Sequence, residues 1–251
     1  MSLIKTAEDI KQLREDGKVL ASVLKHVKEM VRPGIMTKEL NAKGEELIYA
    51  AGGKPSFKGY GEPTPFPAGL CISINEEIVH GIPGERKLKE GDIVSLDIGM
   101  DRNGLFTDMS TTVAVGKIPK QTKQLMKVTR KSLELGIKQC RVGNTLGDIG
   151  HAIQSYAEKH GYGVVRDLTG HGVGHAVHEA PSVFNYGKPG AGQKLQEGMV
   201  LALEPMVTIG DYNIDYKEDN WTIKTVDNSL SAHYEHTVAI TKKGPIIITG
   251  L

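Results

Sequence analysis

One pattern is written twice along this chain, so whatever it folds into must have two related halves. The first copy reads Val79-His80-Gly81-Ile82-Pro83, then Lys87-Leu88-Lys89-Glu90-Gly91-Asp92-Ile93-Val94-Ser95-Leu96-Asp97. The second reads Val177-His178-Glu179-Ala180-Pro181, then Lys194-Leu195-Gln196-Glu197-Gly198-Met199-Val200-Leu201-Ala202-Leu203-Glu204. Each copy delivers a histidine and, at the end of an apolar run, a carboxylate. Runs such as 93–96 and 199–203 read as buried strands. An unpaired carboxylate there costs several kcal/mol or gives up its charge, so two in matched positions ask for a cation.

The repeat extends in both directions. Upstream, residues 31–37 open an apolar-periodic helix (Leu40, Leu47, Ile48), and residues 140–145 open another (Leu146, Ile149, Ile153, Tyr156). Both helices are expected to start from a threonine cap, Thr37 and Thr145, and to stop at glycine, Gly52-Gly53 and Gly161. Downstream of Asp97 comes Asp108, followed by Thr112-Val113-Ala114-Val115; downstream of Glu204 comes Glu235, followed by Thr237-Val238-Ala239-Ile240. A period of about 110 residues seen only twice is too long for a solenoid and predicts a duplicated half-domain closing around one shared site. The expected organisation is one catalytic domain over residues 1–251, with half-repeats of approximately 1–116 and 117–251.

Between these landmarks, Thr6-Ala7-Glu8-Asp9 marks a helix start, with apolar residues at helical spacing from Ile10 to Val27 until Pro33-Gly34 ends it. Residues 55–69 are a Gly/Pro-rich loop and residues 70–74 a short strand. A helix carrying Leu125, Met126, Leu133 and Ile137 follows Pro119, and the charged run 117–131 reads as its solvated face. The loop 187–192 has no equal in the first half and is a place to expect substrate contacts.

Charge excludes some function classes. The 31 Lys and Arg nearly balance the 30 Asp and Glu, leaving no field for general attraction to nucleic acid or membrane. Cys71 and Cys140 form no C-x-x-C, so neither a disulfide framework nor a thiolate metal site is expected. No long apolar span and no leader pattern occur, which makes the cytoplasm the expected location. There is also no G-x-S-x-G elbow and no phosphate-binding G-x4-G-K-[ST] loop.

The segment Gly170-His171-Gly172-Val173-Gly174-His175-Ala176-Val177-His178 holds three histidines in eight residues. Its glycines argue against a helical zinc motif, and Ser182 stands where a second histidine after His178-Glu179 would be needed. A regular strand would place His171 and His175 on one face and His178 on the other, giving one ligand and one donor to second groups or substrate. With Asp97, Asp108, Glu204 and Glu235, His171 completes a set of four carboxylates and one imidazole. That set suits Mn, Fe, Co or Zn. Like charges at about 4 Å cost on the order of 4 kcal/mol per pair at an effective dielectric of 20, and two divalent ions neutralise all four. Water between two such ions ionises near neutral pH, so hydrolysis is the expected chemistry. Ordinary buried salt bridges are the competing explanation, yet no basic partners recur beside these acids.

The ordered arrangement D-x10-D, G-H-G-x-G-x-x-x-H-E, E-P-M and Y-E-H-T resembles the type I methionine aminopeptidases over essentially the whole chain. The resemblance implies an α+β pita-bread fold: two pseudo-symmetric α/β halves, an antiparallel sheet, and helices on its outer face. It implies removal of N-terminal methionine from nascent proteins and peptides when the second residue is small. Asp97, Asp108 and Glu235 would hold one metal, and Asp108, His171, Glu204 and Glu235 the other. Glu204 would shuttle the proton of a bridging hydroxide, His178 would stabilise the tetrahedral intermediate, and His80 would contact the substrate backbone or amine. Asn75 and Ser231 would help bind a monovalent cation, as in relatives. The enzyme would be a monomer with at most transient ribosome contact.

For a thioether the pocket should be apolar and aromatic, and Tyr60, Phe66, Cys71 and Trp221 are the candidates. Val177 and His175 depart from the Phe and Arg common in bacterial members. The sibling group with the same metal set is the Xaa-Pro aminopeptidases and prolidases; Glu204-Pro205-Met206, the segment 232–236 and the absence of a large N-terminal domain favour the methionine enzyme. A third alternative is a catalytically dead pita-bread domain that binds peptides, against which the five intact ligand positions weigh.

Overall fold

The computed structural model describes residues 3–250. The first half supplies helices α1 (Ala7–Glu29) and α2 (Thr37–Ala50) and strands β1 (Lys54–Pro55), β2 (Leu70–Ile74), β3 (Glu77–Val79), β4 (Ile93–Arg102) and β5 (Leu105–Ala114). The second supplies α3 (Lys120–Gln139), α4 (Leu146–Lys159), β6 (Gly163–Val164), β7 (Thr169–Gly172), β8 (Glu179–Phe184), β9 (Val200–Leu203), β10 (Met206–Thr208), β11 (Ile214–Tyr216), β12 (Ile223–Thr225), β13 (Ser231–His233), β14 (Glu235–Thr241) and β15 (Gly244–Ile247). A nine-stranded sheet runs β1-β4-β5-β14-β9-β7-β8, with β2 on β4 and β15 on β14. All its pairings are antiparallel. Two three-stranded sheets, β13-β10-β6 and β11-β12-β3, complete the body.

Strand alternation decides which face each helix pair covers. Leu96 and Ile98 flank Asp97 on β4 and point to the opposite face, where they join Leu20, Leu24, Leu40 and Ile48 of α1 and α2 in one core. In the second half, Leu201, Leu203, Val238 and Ile240 join Leu133, Ile137, Ile149 and Ile153 of α3 and α4 in the matching core. Both helix pairs therefore sit on the outer face, and the carboxylates are left on the inner one. The halves meet where β5 pairs β14, with Glu235 opposite Ser110 and His236 opposite Met109. Beyond that point the strands part, and the Thr237 hydroxyl accepts from Asp108 N–H (3.0 Å) and donates to Asp108 C=O (2.8 Å).

Threonines at the helix starts act as caps in two of three cases. Thr6 caps α1 in a reciprocal box with Asp9, and Thr145 caps α4 in a box with Asp148. Thr37 does not cap α2: it is the first helical residue, Met36 stands at the cap, and Glu39 accepts from Met36 N–H at 2.8 Å. The physical reason is a neighbouring loop. The carbonyls of Arg86 and Gly84 take the N–H groups of Thr37 and Lys38, and the Thr37 hydroxyl is bound to Gly84, so no side-chain cap is required there. The loop 187–192 also departs from expectation. It lies over the start of α4, with Gly147 N–H donating to Ala191 C=O (2.9 Å) and Gly190 N–H to Asp148 Oδ1 (2.9 Å). It satisfies one helix N–H group and bonds the Asp148 side chain, and none of its residues lines the cavity described below.

Candidate metal centre

Register gathers the acids. In an antiparallel ladder, residues directly opposite share a face, as do residues two apart on one strand. Asp97 on β4 lies opposite Cys71 on β2 and opposite Ser110 on β5; Asp108 is two residues before Ser110; Glu235 on β14 lies opposite Ser110. These side chains share the inner face at mid-sheet. Across β9, His171 on β7 lies opposite Ala202, which is itself opposite Thr237, so His171 joins the same face. Glu204 follows immediately after β9.

Ligand atoms of Asp108, His171 and Glu235 all lie within 4.8 Å of one another. Glu204 Oε1 is 3.5 Å from His171 Nε2. Asp108, Glu235 and Asp97 are buried, at 3%, 2% and 9% exposure, and each keeps one carboxylate oxygen without a hydrogen-bond partner. Buried polar atoms are normally satisfied, so three such oxygens on residues lining one cavity fit a bound cation. The imidazole fits as well. His171 Nδ1 is 2.9 Å from Gly172 C=O, to which its N–H donates, leaving the Nε2 lone pair for the site.

Electrostatics agree. Burial pushes the Asp97 carboxyl up to about 7, with Glu204 adding to the rise and His233 opposing it. Burial pushes Glu204 up to about 8. Asp108 and Glu235 are driven well above the carboxylate range, first by burial and then by neighbouring acids. A divalent ion reverses that logic by favouring the ionised forms. Burial lowers His171 to about 3 and His80 to about 4, with the facing His178 adding to both, and burial lowers His178 too. These rings are neutral near pH 7, as a metal-ligating imidazole must be.

The acids form the floor of a cavity of about 560 Å³. All four expected pocket residues, Tyr60, Phe66, Cys71 and Trp221, line it, as do His80 and His178. Phe66 and Trp221 meet edge-to-face at 5.3 Å, the indole N–H donates to Thr64 C=O (3.0 Å), and Tyr60 stands edge-on to His178 at 4.9 Å. Cys71 is both buried hydrophobe and wall, and the buried acids beside it add to the burial that raises its thiol. His80 adopts φ +58°, a left-handed conformation a non-glycine residue holds only under constraint, and its ring stands 6.1 Å from Trp221.

One expectation fails within the histidine segment. The strand containing His171 ends at Gly172, and the chain turns before β8, so His171 and His178 do not take opposite faces: their rings stand 4.4 Å apart, edge to face. His175 lies outside the cavity lining, with Nε2 3.6 Å from Asp9 Oδ2. Val177 packs behind the wall with Phe57, Phe66 and Cys71. Sequence reasoning passed over His233, which is 1% exposed, with Nδ1 3.0 Å from Ser110 Oγ and Nε2 3.4 Å from Glu204 Oε2. Its signal was available: a histidine two residues before Glu235 in an otherwise apolar, small-residue run. Leu168 and Met206 also line the cavity, and nothing local in the sequence marks Leu168 for that role.

The family pattern described as Metallopeptidase family M24 matches residues 11–242. The methionine aminopeptidase of Clostridium perfringens is 49% identical over 250 residues, covering 99% of each chain. Among solved structures, the methionine aminopeptidase of Rickettsia prowazekii superposes with a TM-score of 0.96 at 42% identity, covering 98% of this chain and 99% of that one. The Thermotoga maritima methionine aminopeptidase matches with the same TM-score at 44% identity, covering 99% of both. The pita-bread architecture expected from the residue pattern is thus the architecture of these enzymes. The chain belongs to metallopeptidase family M24, in its methionine aminopeptidase branch.

Proposed function

We propose that this chain is a methionine aminopeptidase that hydrolytically removes N-terminal methionine from peptides and nascent proteins whose second residue is small. The observation that carries this reading is the convergence of Asp97, Asp108, His171, Glu204 and Glu235 at the floor of a cavity with aromatic walls. As a family M24 metallopeptidase it uses divalent metal. The donor set suits two ions of Mn, Fe, Co or Zn, one held by Asp97, Asp108 and Glu235 and the other by Asp108, His171, Glu204 and Glu235. When bound, such ions lower the pKa of water towards neutrality and polarise a carbonyl.

The protein's own residues complete the chemistry. Tyr60, Phe66, Cys71 and Trp221 take the thioether side chain, for which aromatic faces and edges are favourable partners. His80 contacts the substrate amine or backbone. His178 donates an imidazole N–H to the scissile carbonyl oxygen as it gains charge, an interaction worth most in the transition state. Glu204, at the cavity wall with Oε1 3.5 Å from His171 Nε2, takes a proton from the attacking water and returns it to the leaving amine.

Residues 1–251 act as one catalytic domain, the halves 1–116 and 117–251 meeting at the β5–β14 pairing. Asn75 and Ser231, joined by Ser231 N–H donating to Asn75 C=O (2.8 Å), would help bind a monovalent cation. The enzyme works in the cytoplasm as a monomer, in transient contact with ribosomes. Among the described residues no helix is long and apolar enough to cross a membrane. The test is turnover of a Met-Ala-Ser peptide with Mn or Co, abolished by Asp97→Ala. Turnover of a Xaa-Pro peptide instead, or of neither with any metal, would sink the proposal.

A further inference from the structure

Glu179 follows His178 in the chain, and both of its oxygens are engaged. Oε2 meets Lys5 Nζ at 2.5 Å, and the two side chains are 6% and 1% exposed. Oε1 accepts the backbone N–H groups of His175 (2.5 Å) and Ala176 (2.8 Å). The lysine stem crosses Gly174, where a Cβ would stand 2.4 Å from Lys5 Cε and where φ is +139°. Lys5 is itself fixed, its N–H donating to Gly198 C=O at 2.8 Å while Ile4 bridges to Met199. The Gly174 carbonyl in turn accepts from Phe106 N–H at 2.7 Å.

Past Val173, whose N–H donates to Val200 C=O (3.1 Å), residues 174–178 belong to no strand, since β7 ends at Gly172 and β8 starts at Glu179. One carboxylate substitutes for the missing ladder, gathering two N–H groups of the turn, and a buried lysine fixes that carboxylate from outside. At the end of the turn the His178 ring stands 4.4 Å from His171 and 4.9 Å from Tyr60. A buried ion pair contributes little net stability compared with a packed neutral pair, so what it sets here is geometry.

We propose that Glu179, clamped by Lys5, is a positioning residue that holds the 173–178 turn so that the His178 ring meets the substrate carbonyl. This rests on the role proposed above for His178. The tilt of one ring governs a transition-state hydrogen bond, and a displacement of about 1 Å costs on the order of 100-fold in rate.

The test compares Lys5→Met with two double variants, Lys5→Met/Glu179→Gln and Lys5→Met/Glu179→Leu, well below their melting temperatures and with saturating Mn. Neither double variant leaves a buried charge, but only glutamine keeps an oxygen for the His175 and Ala176 N–H groups. In Lys5→Met, kcat on Met-Ala-Ser is expected to fall by on the order of 10- to 100-fold, with KM and Mn affinity changed less than about 3-fold. The glutamine partner should restore kcat to within about 5-fold of the unsubstituted enzyme, and the leucine partner should not. Hydrogen exchange of the His175 and Ala176 amides should quicken in the leucine variant and stay slow in the glutamine one. If Lys5→Met does not fold, the two doubles decide. Equal kcat in the doubles, or amides equally protected in both, overturns the proposal. Absence of turnover by the unsubstituted enzyme strikes the proposed function instead, and the amide exchange then decides the positioning claim alone.

Discussion

Removing divalent metal should make the folded chain less stable at pH 7 than at pH 5.5, and restoring it should remove that slope. The perturbation exposes the uncompensated acids at mid-sheet. Asp97 moves from 3.8 to about 7 on folding and Glu204 from 4.5 to about 8, both chiefly through burial. The sign follows directly: the folded state keeps protons that the unfolded chain releases above pH ~4, so stability is greatest below the unfolded values and falls as pH rises through the folded ones. At about 1.36 kcal/mol per pH unit, one carboxyl still protonated in the fold removes about 2 kcal/mol between pH 5.5 and 7. Coulomb's law gives the same order: two carboxylates at the 4.8 Å limit of the Asp108–Glu235 pair repel by about 3.5 kcal/mol at an effective dielectric of 20. For a chain of this size, about 2–4 °C per kcal/mol converts the first figure to a fall in Tm of about 4–8 °C. Metal at 100 times its Kd should then raise stability by about 2.7 kcal/mol, or about 5–11 °C. Calorimetry of EDTA-treated protein at pH 5.5, 6.5 and 7.5, repeated with Mn and with Asp97→Asn, reads all of this; the Asn variant should lessen the metal-free slope, the other raised acids keeping the remainder. A metal-free Tm that is level or rises with pH, together with no response to Mn at pH 7.5, would refute the reasoning.

Three substitutions test other parts of the site. Glu204→Gln keeps the shape but not the proton carrier, so kcat should fall by about 10²–10⁴-fold while the protein stays folded; an undiminished kcat would remove Glu204 from proton transfer. Phe66→Ala opens a wall that is 2% exposed and braced by Trp221, so chemical denaturation should show a loss of about 3–5 kcal/mol and peptide kinetics a raised KM. An unaffected KM would place methionine elsewhere. Thr237→Val strips the hydroxyl that serves both backbone groups of Asp108, at an expected cost of about 1–3 kcal/mol and with weaker Mn binding by calorimetry; unaltered stability and affinity would show that the seam closes without it.

Much of the centre was legible because it depends on local pattern. Asp97 inside an apolar run, its counterpart Glu204, and the spacing to Asp108 and Glu235 are consequences of strand alternation, and register then did the rest. Thr6 and Thr145 were readable as caps because their partners Asp9 and Asp148 lie three residues on. Thr37 was not, because what satisfies the start of α2 arrives from Gly84 and Arg86, far along the chain. The same limit hid the turn between β7 and β8. Regular alternation parts His171 from His178, and the fold-back that joins them carries contacts from far along the chain, among them Phe106 N–H on Gly174 C=O and Lys5, 174 residues from Glu179. His233 escaped for a related reason: its neighbours Ser110, on β5, and Glu204, just after β9, are distant in sequence.

The seam between β5 and β14 bears on how this enzyme comes into being. Asp97 and Asp108 are synthesised in the first half, but Glu235 enters only with β14, late in the chain. Until that strand docks against Ser110, the early carboxylates have no partner across the sheet, and closing so long a loop is an entropically late event. The centre therefore cannot form from the first half alone: a chain that stops short of β14 lacks Glu235 and the pairing with β5 that brings it to Asp108.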